Sequence, residues 1–289
     1  TSNINSVTFL DVYNKNITDL TGIEDFELLE ILYCHSNQLT SLDISQNTAL
    51  TNLRCQMNQL TNLNVSNNTA LTSLHCGDEL GGNQLTNLDL SNNVNLTNLW
   101  CGDNQLVNLD LSNNTALTML HCGINQLTSL DVSQNIALTV LACYNNQISS
   151  LDVSQNINLS ALWFFSNQIT NIDISQNIVL YDLRCHNNQI LNLDLTSNNN
   201  LNVLLCQNNY LNNLDLSNNP LLRVLYCENN QLTNLDVSNN SQLVELKVYN
   251  NQLTNINVNS ADDLIWFSCD NNQITSLDLS QNTALTSLY

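Results

Sequence analysis

The 289-residue chain is poor in basic residues, in charge of either sign, in proline and in glycine, and each shortage excludes something. Lys and Arg number 5 against 25 Asp and Glu, a formal net charge of -20. A surface so short of cations cannot neutralise phosphates, which excludes nucleic acid and anionic membrane surfaces as partners. Charged residues make up 10% of the chain, against a usual quarter, and there are one Pro and six Gly. Disorder does not follow, because 43% hydrophobic content is ample for a core. No apolar run approaches the roughly 20 residues that span a bilayer, so no membrane insertion is expected. The 10 Cys include no C-x-x-C pair, and there is no Gly-rich phosphate loop or nucleophile-base constellation. No catalytic residue, metal site or cofactor is therefore expected. The chain starts Thr1-Ser2-Asn3, with neither an initiator Met nor a signal peptide, and is expected to be a piece of a longer protein.

What is present is repetition. Asn and Leu supply 57 and 55 residues. The cysteines Cys34, Cys55, Cys76, Cys101, Cys122, Cys143, Cys185, Cys206, Cys227 and Cys269 are 21 residues apart or a double step of 42, apart from one gap of 25. Phe164 and Val248 stand at the skipped places, and the longer gap reflects a four-residue insertion near 79–82. The unit reads L-x-x-L-x-C-x-x-N-Q-L-T-x-L-D-x-S-x-N-x-x. Its Asn three places after the Cys position never fails, from Asn37, Asn58 and Asn83 to Asn251 and Asn272. One repeat domain over 1–289 is expected, with a leading repeat in 1–31 and about twelve 21-residue repeats over 32–289.

The run Leu50-x-x-Leu53-x-Cys55-x-x-Asn58-x-Leu60 resembles the signature of leucine-rich repeat proteins. The short unit with Cys in a core position is similar to the cysteine-ladder, internalin J-like subtype of the bacterial internalins. The wording L-T-S-L-D-V-S-Q-N is also similar to secreted repeat proteins of Bacteroidetes-type bacteria. The resemblance implies a mostly β repeat solenoid with a parallel strand ladder on its concave face, a second short extended segment on the convex side and little helix. It further implies a non-enzymatic, adhesin-type module, secreted or at the cell surface. Array logic adds an expectation of end-to-end self-association, since the last residues stop without a polar cap.

Position by position, alternation with period 2 sends Leu53 and Cys55 inward and Asn52, Arg54 and Gln56 outward. The thiols then behave as small buried hydrophobes, and ten free cysteines are expected, because side chains on parallel neighbouring strands point the same way. The invariant Asn suits a turn whose amide meets backbone groups of adjacent coils. Ten Asp, among them Asp43, Asp89, Asp110 and Asp215, form one outward file, solvated and hydrogen-bonded by Ser and Asn; calcium is the alternative. Beside it run an Asn/Ser file and a Thr file that includes Thr40, Thr61, Thr128 and Thr275. Such regular files are similar to those of ice-binding proteins, which leaves ice, mineral or cation binding as an alternative function.

Variety lies on one outward strand face, at the places just before and just after each Cys position and, less often, just before the preceding core residue, as at Met119, Asp182, Glu245 and Trp266. All three Trp, all four His and three of the five cationic residues lie there. Exposed aromatics in a contiguous band mark recognition, and wide side chains covering backbone are the plainer alternative. The candidate ligand-binding residues are Trp100, His121, Tyr144, Trp163, Phe165, Arg184 and His186, with a second cluster of Tyr226, Lys247, Tyr249 and Trp266. A protein or a carbohydrate is the expected ligand. His75 and His121 lie two repeats apart, about 9.6 Å by strand spacing, too far to share a metal or a proton.

Overall fold

The computed structural model describes residues 4–289. Contacts divide the chain into two compact units, Thr1–Ile148 and Ser149–Tyr289, both built from the same coil. Each coil contributes one short strand, because only the residues around L-x-C alternate before a turn intervenes. Leu53 and Cys55 are fully buried, while Arg54 between them is exposed.

In the first unit the strands are β1 (Phe9–Asp11), β2 (Ile31–Tyr33), β3 (Asn52–Arg54), β4 (Ser73–Gly77), β5 (Asn98–Cys101), β6 (Met119–His121) and β7 (Val140–Ala142). They pair in parallel and in chain order, with Leu32, Leu53, Leu74, Leu99, Leu120 and Leu141 in one register. The single irregularity lies between His75 and Gly77, where the insertion begins. In the second unit the strands are β8 (Ala161–Trp163), β9 (Asp182–Arg184), β10 (Val203–Leu205), β11 (Val224–Tyr226), β12 (Glu245–Lys247), β13 (Trp266–Ser268) and β14 (Ser287–Leu288). Their core register runs Leu162, Leu183, Leu204, Leu225, Leu246, Phe267 and Leu288. The helix among the described residues amounts to two 3-10 turns, Ile4–Ser6 and Ile23–Asp25. The fold is thus a mostly β leucine-rich repeat solenoid with little helix.

Three side-chain ladders satisfy the backbone that stacking buries. In the expected one, Asn58 Nδ2 donates to the carbonyls of Cys34 and Cys55, both at 3.0 Å, and its Oδ1 accepts from the Leu39 N–H at 3.0 Å. A second ladder was not anticipated. Asn68 Nδ2 donates to Ile44 O and Asn47 O at 2.9 Å, and Asn47, Asn93, Asn114, Asn177 and Asn219 repeat the arrangement with no more than 1% exposure. In the third, Thr51, Thr72, Thr97, Thr118 and Thr139 each donate Oγ1 to a carbonyl of the preceding coil at 3.0–3.1 Å.

All ten cysteines are free, and every one but the half-buried Cys269 is buried. Burial pushes the thiols of Cys76, Cys143 and Cys185 up to about 12, which removes the reactive thiolate. Phe164 and Val248 take the ladder place in two coils, also fully buried. The second segment keeps its apolar alternation, with Leu63 and Val65 inward, but pairs as a strand only at the isolated bridge Asp236↔Asn257. Its Asp file closes side-chain turns throughout: Asp43 Oδ1 accepts from the Ser45 N–H at 3.0 Å, Asp89, Asp110 and Asp215 do the same with Ser91, Ser112 and Ser217, and so do the bridged Asp236 and Asn257 with Ser238 and Asn259. These side-chain turns fix the bend that follows the segment.

Candidate functional site

The outward residues flanking the ladder cysteines divide between the units. Trp100, His121 and Tyr144 belong to the first; Trp163, Phe165, Arg184, His186, Tyr226, Lys247, Tyr249 and Trp266 belong to the second.

In the first unit the rings stack along the strand face. Trp100 lies against His121 with centroids 4.8 Å apart and planes 12° apart, and against His75 at 5.2 Å. Tyr144 meets His121 edge-on, with its hydroxyl 3.0 Å from His121 Nε2. The insertion folds back here: His75 Nε2 is 2.8 Å from Asp78 Oδ2, and Asp78 Oδ1 accepts from the N–H groups of Leu80 and Gly81. The expectation of an open band fails at two residues, since His121 is 3% and Tyr144 4% exposed. Glycine is the reason. A Cβ at Gly102 would stand 2.9 Å from His121 Nδ1, and one at Gly123 would stand 2.9 Å from the Tyr144 ring, so both rings lie flat on backbone that glycine leaves bare. Burial lowers the His121 imidazole from its ordinary value and, with Glu79 nearby, pushes the Tyr144 phenol up to about 12. A separate pair of contacts precedes them: Arg54 sits 4.8 Å above the Tyr33 ring, and His35 stacks on Tyr13 at 4.3 Å.

In the second unit the candidates remain half-buried or exposed. Arg184 lies 4.6 Å over the Trp163 ring, and its Nε and Nη2 donate to the Asp182 carboxylate at 2.9–3.2 Å. The aromatic face on one side and the carboxylate on the other fix the guanidinium in one orientation. On the next outward column, Phe165 and His186 stack at 4.3 Å with planes 9° apart. Burial, then the Arg184 charge, holds the His186 imidazole down at about 4, so it is neutral at physiological pH. Further along, Lys247 Nζ lies 3.8 Å from the Tyr226 centroid and 5.4 Å from that of Trp266. Tyr226 donates its hydroxyl to Glu245, and Tyr249 lies against Glu228, which is 5% exposed. Burial raises the Glu228 carboxyl above its usual range.

Sequence reasoning placed Gln207 and Glu228 on this face but did not select them, nor the clamping carboxylates Asp182 and Glu245. Their outward column positions were the available signal. Among the described residues no group of three or more His, Cys, Asp or Glu side chains is placed to hold a metal ion, and no helix is long and apolar enough to cross a membrane.

No family model matches the chain. It is similar to internalin J of Listeria monocytogenes, 49% identical over 43 residues, which is 15% of this chain and 5% of the relative. Among solved structures it superimposes on the functional domain of Listeria monocytogenes InlJ, described as including a cysteine ladder, with a TM-score of 0.97 and 42% identity over 99% of this chain. That match spans 63% of the Listeria domain. A second internalin from the same organism, InlF, matches with a TM-score of 0.91 at 25% identity over 99% of this chain and 87% of its own. With its own row of buried cysteines along the strands, the leucine-rich repeat solenoid is similar in fold to these internalins and in its ladder to InlJ.

Proposed function

We propose that the chain is a non-enzymatic recognition module of a secreted or surface-associated bacterial protein, acting as an adhesin through its outward strand face. The observation that carries this is the pair of stacked layers in the second unit, Trp163 under Arg184 and Phe165 against His186. Away from the strand face, among the described residues, the regular files are Asn, Ser, Thr and Asp, and exposed apolar side chains such as Ile157 and Tyr181 stand without such stacked cation-aromatic or ring-ring layers. The candidate residues of the first unit fit less well, because His121 and Tyr144 are sunk into the face. The ligand in this reading is a protein or a carbohydrate, since an aromatic ring carrying a fixed guanidinium suits either. None of the relatives named above comes from Bacteroidetes-type bacteria, and that textural similarity adds nothing. Immobilised wild-type chain and a Trp163→Ala/Arg184→Ala variant, passed over panels of host-surface proteins and oligosaccharides, test the reading. Loss of binding with an unchanged melting curve is expected; equal binding by both excludes the face.

A second reading uses the convex files for ice, mineral or cation binding, and the buried ladders favour it. Asn side chains locked between consecutive coils fix the repeat distance, and a lattice-matching surface needs that regularity. The Asp carboxylates there are held below their ordinary range by Ser N–H and hydroxyl groups and stay charged in mild acid. Thermal hysteresis and adsorption to calcium minerals, measured for wild type and Thr128→Trp, decide it: an effect lost in the variant supports the files, and none in the wild type excludes them.

A further inference from the structure

The second unit's face also carries polar atoms that the chain leaves unpaired. His186, Gln207 and Glu228 follow the ladder cysteine in three consecutive coils, about 4.8 Å apart. His186 Nδ1, Gln207 Oε1 and Glu228 Oε2 are sealed from solvent and meet no hydrogen-bond partner in the protein, and so is Trp163 Nε1. Glu228 is 95% buried, and its other oxygen receives only a 3.5 Å contact from the Tyr249 hydroxyl. Leaving such atoms unmet is costly; the Oδ1 atoms of the second ladder, Asn219 among them, are left so as well, but those lie between stacked coils whereas these lie on the outward strand face. Rings flank the column, with Phe165 on His186 at one end and Tyr226 and Tyr249 at the other. Between Arg184 and Tyr226 the neighbouring column drops to Leu205, a shorter side chain beside Gln207. The first unit repeats the theme, since His35 is stacked on Tyr13 in the coil before Gln56, and His35 Nδ1 and Gln56 Oε1 are again buried and unpaired.

We propose that the column His186–Gln207–Glu228 is a saccharide subsite that takes hydroxyl groups of successive sugar rings, one coil at a time. This rests on the outward strand face being the binding surface. A hydroxyl both donates and accepts, so it meets an amide oxygen, a carboxylate and an imidazole nitrogen in either tautomer. The apolar face of a pyranose suits the Phe165 and Tyr226 rings. An anionic ligand is opposed by Glu228, Glu245 and Asp270, and the terminal torsions of His186 and Gln207 need only turn to present their unpaired atoms.

The test is a plate of neutral oligosaccharides, tetramers of glucose, galactose, mannose and N-acetylglucosamine, beside a panel of immobilised proteins. It is read for wild type, Gln207→Ala, Glu228→Gln, Glu228→Ala and Trp163→Ala/Arg184→Ala, each checked by thermal unfolding. At least one wild-type oligosaccharide signal is expected, weakened about tenfold by Gln207→Ala and by Glu228→Ala. Glu228→Gln keeps an acceptor oxygen and should lose less. Oligosaccharide binding indifferent to Gln207→Ala and Glu228→Ala overturns the placement. Protein binding alone, lost in the Trp163/Arg184 variant, overturns the saccharide class and leaves the recognition reading standing. Binding to neither panel overturns both.

Discussion

Replacing Asn219 by Ala isolates what the second asparagine ladder contributes. Asn219 Nδ2 donates to Leu195 O at 3.2 Å and Asn198 O at 2.9 Å, and its Oδ1 meets no partner in the protein. Truncation removes two bonds and strands no N–H, because both carbonyls keep a backbone donor, Asn198 N–H at 3.0 Å and Leu201 N–H at 3.0 Å. At about 1 kcal/mol per net hydrogen bond the cost is about 2 kcal/mol. Asn188→Ala in the first ladder should cost more, about 3 to 4 kcal/mol, because it also strands the Ile169 N–H, which donates to Asn188 Oδ1 at 3.0 Å. The molecule contains its own control. Ala261 occupies the second-ladder place in one coil, and there the preceding Ser260 donates its hydroxyl to Val237 O at 3.3 Å, the carbonyl an Asn would have reached. Asn218→Ser combined with Asn219→Ala should therefore recover about 1 kcal/mol of the loss. Urea unfolding followed by tryptophan fluorescence and circular dichroism measures all three. A double variant no more stable than Asn219→Ala, or equal costs at Asn188 and Asn219, would refute the reasoning.

Other outcomes follow from the same contacts. With a thiol reagent under native conditions, Cys269 should react first and the nine buried thiols only on unfolding; rapid labelling of Cys143 would contradict the ladder. Ile124 holds a left-handed φ of 55°, where a β-branched residue is strained and equivalent coils carry Asn145, Asn187 and Asn208, so Ile124→Asn should raise stability by about 1 kcal/mol in the urea assay. The His186 imidazole, held at about 4 against an unfolded value near 6.5, favours the neutral form in the fold. Its stabilising share is thus present above about pH 6.5 and is lost as pH falls toward 4, and an NMR titration of His186 with a midpoint near 6.5 would disagree.

The period of 21 made the fold legible, because Leu and Cys recur at fixed inward places and an Asn follows each strand from β2 to β13. The second ladder is equally visible as the Asn of S-x-N, but nothing in one repeat shows that its amide reaches carbonyls 21 and 24 residues back. The threonine ladder was hidden for the same reason. At the site, alternation correctly sent Trp163, Arg184 and Lys247 outward, but outward does not mean exposed. His121 and Tyr144 sink because their neighbours in the preceding coil are Gly102 and Gly123, a relation between columns rather than along the chain. The insertion's return onto His75 through Asp78 depends on a turn that composition alone does not specify.

Hydroxyl-radical footprinting of the ligand-bound chain tests the central claim most directly, because it reads every aromatic surface at once. Tyr181 and Tyr210, 52% and 49% exposed and away from the columns flanking the cysteines, serve as internal controls. The account predicts protection of Trp163, Phe165 and Tyr226 with Tyr181 and Tyr210 oxidised as in the free chain. Protection of Tyr181 and Tyr210 with Trp163 and Phe165 unchanged would contradict it.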